Sequence, residues 1–323
     1  MINRRMVLVG SALGLCAWAA HSATAPALPP VEETWHDAAR QREVPVRVRV
    51  PTTPAPWPVV LYSHGLGGSR EGADVWGQAW AEAGFIVLHL QHPGSDTAAI
   101  RSGLRAAANV EQLVARVRDV RFVLDELARR QVAAPATSAV PWGQLRLDAV
   151  GLAGHSFGAQ TVQSVAGQRY AVAADFAEPR LRAFIALSPS SHRAGLPVQQ
   201  QFGAITRPFL AITGSLDGDP FGGFSSGDSR AAIFDGLPTG RRALLWLDGA
   251  DHMTFAGHAQ RRINGAGPFR RGPGALEREP AHHALVAQLT TLWWRAHLMG
   301  DEAARAALAR PAGLGALDRW QRD

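Results

Sequence analysis

Gly154-His155-Ser156-Phe157-Gly158 follows the apolar run Leu145 to Ala153 and opens onto small residues from Ala159. That order predicts a strand, a sharp turn centred on the serine and a helix, the setting in which G-x-S-x-G lifts a hydroxyl clear of its own backbone. A serine hydroxyl is a poor nucleophile at neutral pH. It needs a neighbouring base, and donors aimed at the negative oxygen that its attack creates. Gly154 and Gly158 suit the turn, because a β-carbon at either would collide where strand and helix fold back on each other. In a chain with 33 glycines the pentapeptide alone could be coincidence. The flanking strand and helix give it meaning.

A second segment supports the first. Val59-Val60-Leu61-Tyr62-Ser63 reads as a buried strand and runs into His64-Gly65-Leu66-Gly67-Gly68, where glycines let the backbone turn its N–H groups inward. α/β-hydrolases build an oxyanion hole from the amide after the nucleophile and one amide in a loop after an early strand. Here these are Phe157 and Leu66. The acid and base should follow the serine in chain order, each beyond a strand. Pro208 to Thr213 is such a strand, with Asp217 just past it; Arg242 to Leu247 is the next, with His252 just past it. The expected set is therefore Ser156, Asp217 and His252. Asp219 competes for the acid role, and Asp251 is disfavoured because adjacent side chains on an extended segment point apart. His64 precedes the serine and is read as a structural histidine orienting its loop.

Tyr62 to Gly68, Gly154 to Gly158 and the strand end His89-Leu90-Gln91-His92-Pro93-Gly94-Ser95-Asp96 carry a resemblance over about residues 57 to 256. The chain resembles the α/β-hydrolase branch of platelet-activating-factor acetylhydrolases and bacterial dienelactone-hydrolase-like proteins. The resemblance implies a serine esterase on an α/β-hydrolase fold, with a mostly parallel central sheet flanked by helices on both faces and no metal or organic cofactor. In the acetylhydrolases the acid follows the strand after the nucleophile helix. Here Ser188-Pro189 stands there, which directs the role to Asp217. Dienelactone hydrolases use a cysteine where this chain has Ser156.

Arg4 and Arg5, the apolar run Met6 to Ala20 and the small residues after it read as an export signal over 1–25, of the general or twin-arginine type, ahead of one catalytic domain over 26–323. The expected location is periplasmic or secreted. The run is short for a bilayer span, and the one cysteine, Cys16, lies within it. All 33 basic residues are arginine and the net charge is +6. They are scattered and belong to no recognisable module, so nucleic acid is not an expected partner. The Gly/Arg-rich segment 257–278 reads as a solvated loop.

Arg42 to Val50 alternates like an edge strand, where Pro45 is tolerable. Asn109 caps a helix whose apolar stripe runs through Val110, Leu113, Val114, Val117, Val120, Leu124 and Leu127. Leu285 to Leu298 reads as the last helix covering the sheet. His89 and His92 form an H-x-x-H pair, but on a strand end their side chains face opposite ways and no third ligand accompanies them, so no metal is expected. His92, with Phe221 and Phe224 in the loop after Asp217, is a candidate to line the substrate pocket. Trp76 is a further candidate, although Trp76 and Trp80 stand four apart on a helix after the oxyanion loop, a spacing more often of core residues than of a substrate platform. The expected partner is a small or polymeric ester. Two other readings use the same residues: a peptidase or amidase with this triad, and a catalytically silent binding protein on a hydrolase scaffold.

Overall fold

The computed structural model describes residues 28–135, 137–172, 175–191, 195–219, 225–258 and 271–323. The expected export signal, Phe221 and Phe224, and most of segment 257–278 lie outside the described residues.

The described strands are β1 (Val31–Asp37), β2 (Arg42–Arg49), β3 (Trp57–Ser63), β4 (Ile86–Leu90), β5 (Leu145–His155), β6 (Leu181–Leu187), β7 (Phe209–Leu216), β8 (Arg242–Asp251) and β9 (Arg319–Arg322). They form one sheet in the order β1-β2-β4-β3-β5-β6-β7-β8-β9. The pairings from β4 through β3, β5, β6 and β7 to β8 are parallel, and the flanking ones are antiparallel. Parallel strands need crossovers, and helices supply them.

Alternate residues of each central strand feed two separate cores, as the two-residue strand period requires. Val59 and Leu61 pack on one face, with Val117, Val120, Leu124 and Leu127 of the Val110–Ala133 helix and Val162 of the Phe157–Ala166 helix. Val60 and Tyr62 pack on the other, against Trp76 and Trp80 of the Asp74–Glu82 helix and Leu289 and Trp294 near the C-terminus. Buried on both faces, these strands are β-branched and apolar without a polar alternation.

Sequence patterning places several boundaries differently from the structure. β2 is an inner strand, because β1 pairs outside it. Pro45 is tolerated for a local reason. Its carbonyl accepts from the Gln91 N–H beyond the end of β4, so its missing N–H faces the point where that ladder has stopped. The Asn109 cap is present, its side chain accepting from the Gln112 N–H at 2.9 Å, yet Val110 is 70% exposed. The last sheet-covering helix starts earlier, at Ala275, and passes at Trp294 into a π-helical turn, Arg295–Met299. Beyond it, β9 adds an antiparallel edge too short and charged to read as a strand.

The elbow requires both of its glycines. A β-carbon on Gly158 would lie 1.9 Å from the Ser63 carbonyl oxygen, and one on Gly154 would lie 2.5 Å from the Gly158 carbonyl oxygen. Gly158→Ala is therefore predicted to destabilise the fold by about 3 kcal/mol or more through overpacking against backbone. Gly143→Ala, whose nearest neighbour would be 3.8 Å away, serves as the control. Equal denaturant midpoints for the two variants would refute the clash.

Candidate active site

The ends of β3, β5, β7 and β8 converge at Ser156. The residue stands between β5 and the Phe157–Ala166 helix with φ 56° and ψ −112°, a region that a non-glycine residue occupies only when its surroundings impose it. Its hydroxyl lies 2.9 Å from His252 Nε2, and His252 Nδ1 lies 2.8 Å from Asp217 Oδ1. Asp217 can only accept, so Nδ1 carries the proton, and Nε2 is left to accept from the serine. The structure thus brings together the three side chains that the sequence singled out. Asp217 rather than Asp219 meets the imidazole, and Asp251 instead binds Thr254, Arg271 and the Gly272 amide.

Asp217 is fully buried and held by three side chains. Its Oδ2 accepts from Thr213 Oγ1 at 2.8 Å, and Arg230 Nε stands 3.1 Å from Oδ1. Burial pushes this carboxyl up, but the Arg230 charge and the His252 contact hold it below its ordinary range. Arg230 also donates to the carbonyls of Asp217, Ser188, Pro189 and Gly218, which ties the ends of β6 and β7 together. His155, inside the pentapeptide, donates from Nε2 to the His252 carbonyl at 2.9 Å and so steadies the loop that carries His252. Sequence reasoning gave neither Arg230 nor His155 a role.

The His64–Gly68 loop lies against Ser156: a β-carbon on Gly65 would be 3.5 Å from Ser156 Cβ. Among the described residues the Leu66 amide donates to no backbone or side-chain acceptor, and the Phe157 amide is one of the unpaired donors of a helix start. His64 is buried. The His92 amide donates to its Nε2 at 3.1 Å, so its Nδ1 donates to the Gly65 carbonyl at 2.7 Å. It fastens the loop and does not reach the serine.

Two pocket expectations are corrected. Trp76 is fully buried, facing the sheet beside Trp80 with its indole N–H on the Phe255 carbonyl. His92 is fully buried as well, with Nδ1 2.9 Å from Asp119 Oδ2 and Nε2 2.9 Å from Ser63 Oγ. Ser63, His92 and Asp119 repeat the pairing pattern of the site but are sealed from solvent. Arg40 and Arg42 occupy the rest of the Asp119 carboxylate. His89 bonds the Gly72 carbonyl from the opposite face, and no group of three metal-binding side chains occurs among the described residues. A hollow of about 720 Å³, lined by Val165, Arg169 and Arg207 among others, lies at the far end of the helix that Ser156 begins.

A solved ferulic acid esterase from Streptomyces cinnamoneus superposes with a TM-score of 0.58 at 19% identity, covering 84% of this chain and 91% of that one. The chain has the α/β-hydrolase fold. A family model described as platelet-activating factor acetylhydrolase, isoform II, matches residues 39–129 of the chain. That stretch holds the His64–Gly68 loop, His92 and Asp119 and stops before Ser156. No curated protein matches the chain.

Burial keeps four histidines of this protein neutral. It pushes His92 down to about 4 and His89 to about 3, with help from Arg116 and Arg49, and holds His64 and His155 well below their ordinary range. An unfolded histidine titrates near 6.5, so between that pH and the folded values the unfolded chain binds more protons. The stability these residues contribute is present above about pH 6.5 and is lost as pH falls towards 4. Lowering the pH from 7 to 5 should cost about 1 kcal/mol or more per buried histidine. Urea unfolding at both values checks this; a flat response would contradict neutral burial.

Proposed function

We propose that the protein is an exported serine hydrolase of carboxylic esters, a single catalytic domain behind its signal, working through an acyl-enzyme. The observation that carries this reading is the unbroken relay from Ser156 through His252 to Asp217, with Ser156 in a strained backbone conformation beside two free amides. Ser156 Oγ attacks the ester carbonyl and passes its proton to His252 Nε2. The tetrahedral oxyanion is received by the amides of Leu66 and Phe157. Collapse expels the alcohol, which takes the proton from His252. Water then attacks the acyl-enzyme by the same route and releases the acid. Asp217 keeps the Nδ1 proton in place and stabilises the transient imidazolium. The esterase in the fold comparison and the acetylhydrolase family model both favour ester chemistry.

Nitrophenyl esters of rising chain length, with an amide control, test the reading. A fluorophosphonate should label Ser156, and Ser156→Ala should lose both labelling and turnover. Asp217→Asn is expected to lose on the order of 10⁴ in kcat and Asp219→Asn far less; reversed losses would make Asp219 the acid. kcat/KM should be low in acid and climb to a plateau, because an imidazolium cannot take the serine proton. His252→Ala should abolish that limb and His64→Ala should keep it. Equal labelling of wild type and Ser156→Ala, or faster turnover of the amide than of the esters, would overturn the proposal.

A further inference from the structure

The Val110–Ala133 helix presents an arginine where its apolar stripe should be unbroken. Arg116 is wholly buried, three residues from Leu113 and four from Val120. Among the described residues no carboxylate ion-pairs with it; Asp119 and Asp96 act on it only through space, and burial pushes it down to about 9. A buried cation without a direct counter-ion is costly, so what it touches explains its presence.

Its guanidinium is spent on the His64–Gly68 loop and the two serines beside it. Nη1 donates to the His64 carbonyl at 2.6 Å and, more weakly, to Ser63 Oγ at 3.4 Å. Nη2 reaches the Gly65 carbonyl at 3.5 Å, and Nε donates to Ser95 Oγ at 2.8 Å. The Ser95 carbonyl in turn accepts from the Gly67 amide at 2.9 Å. The loop is thereby held on both sides of Leu66. The guanidinium carbon also lies 4.5 Å from the centre of the Phe157 ring, on the residue that carries the other free amide.

We propose that Arg116 is the positioning residue of the oxyanion site: clamped between the His64 and Gly65 carbonyls and the Phe157 ring, it fixes both amide donors relative to Ser156 and places a positive charge behind them. This rests on the ester-hydrolase reading and deepens it. Carbonyls bound to the cation point their oxygens towards Arg116, leaving the N–H side of the loop for the substrate oxygen. The fixed charge favours the transition state, where that oxygen is anionic, over the neutral ester. The buried Ser63, His92 and Asp119 and the Arg40 and Arg42 pairs on Asp119 brace the same loop from beneath.

The test compares wild type, Arg116→Met, Arg116→Lys and a core control on the same helix, Val123→Ala. Arg116→Met should lower kcat by about 10- to 100-fold while KM stays within about twofold, the signature of an interaction made in the transition state. Arg116→Lys keeps the charge but cannot fork between two carbonyls, so its kcat should fall between those of the other two. Amide exchange across residues 64–68 should quicken in Arg116→Met and not in Val123→Ala. Val123→Ala should lose melting temperature without losing kcat. An unchanged kcat in Arg116→Met, an equal kcat loss in Val123→Ala, or unaltered exchange at 64–68 would overturn the proposal. Wild-type protein silent on every ester would instead sink the ester-hydrolase reading, and the exchange comparison would then decide alone whether Arg116 holds the loop.

Discussion

Where the Phe157–Ala166 helix begins, its backbone runs so close to the end of β3 that a β-carbon on Gly158 would stand 1.9 Å from the Ser63 carbonyl oxygen. That approach makes one mechanical unit of two segments nearly a hundred residues apart. Ser156 belongs to the β5 turn and the glycine loop to β3, yet neither can shift without pushing the other. The strained dihedral at Ser156 survives because its neighbours leave no room to relax. β3 and β5 pair in parallel up to Ser63 and Gly154, and the Ser156 amide is tied to the Leu187 carbonyl at the end of β6. Local strain is thus offset by the burial of three central strands, the usual condition for holding a residue in a sparsely populated region.

The same molecule contains two Ser–His–Asp pairings with nearly the same distances, and they differ in everything else. Ser156 is partly exposed beside two free amides, whereas Ser63, His92 and Asp119 are sealed in the interior. Ser63 also receives a bond from Arg116, and the Asp119 carboxylate is divided among Arg40, Arg42 and His92. Burial would raise that carboxyl, but its partners hold it at about 2. Such a set is a polar brace in which each of the three side chains has hydrogen-bond partners, which lets it stand inside a core. Geometry among three side chains does not define a catalytic site; access and preorganised donors for the oxyanion do.

The fold was legible wherever local chemistry dictated it. The strand–turn–helix around Ser156, the Asn109 cap and the alternating cores of β3 and β5 all follow from spacing and side-chain shape. So does the meeting of Ser156, Asp217 and His252, since a parallel sheet brings its C-terminal strand ends to one edge. Features that depend on tertiary contact stayed hidden. Whether β2 is an edge depends on where β1 docks, and β9 is a strand only because β8 offers it a ladder. Nearness in sequence to the site loops makes Trp76 and His92 candidates for the pocket. Which side of a helix or strand end faces the sheet decided otherwise. One signal for the bracing network was present: Arg116 and Asp119 are charged residues on the buried face of an amphipathic helix.

Arginine is suited to these interior positions for a reason that bears on the chain's positive excess. A planar fork can bind two carbonyls from different segments at once, which an ammonium on a flexible stem does poorly. Arg116 bridges the His64 and Gly65 carbonyls to Ser95, Arg230 bridges the ends of β6 and β7, and Arg130 lies over the rings of Trp35 and Trp142. Arg40 and Arg42 are spent on Asp119, and Arg271 on Asp251 and Glu279. These cations serve as cross-links within the fold. Arg116 and Arg230 are buried behind the two ends of the site, so part of the formal +6 faces the interior and is not offered to a polyanion.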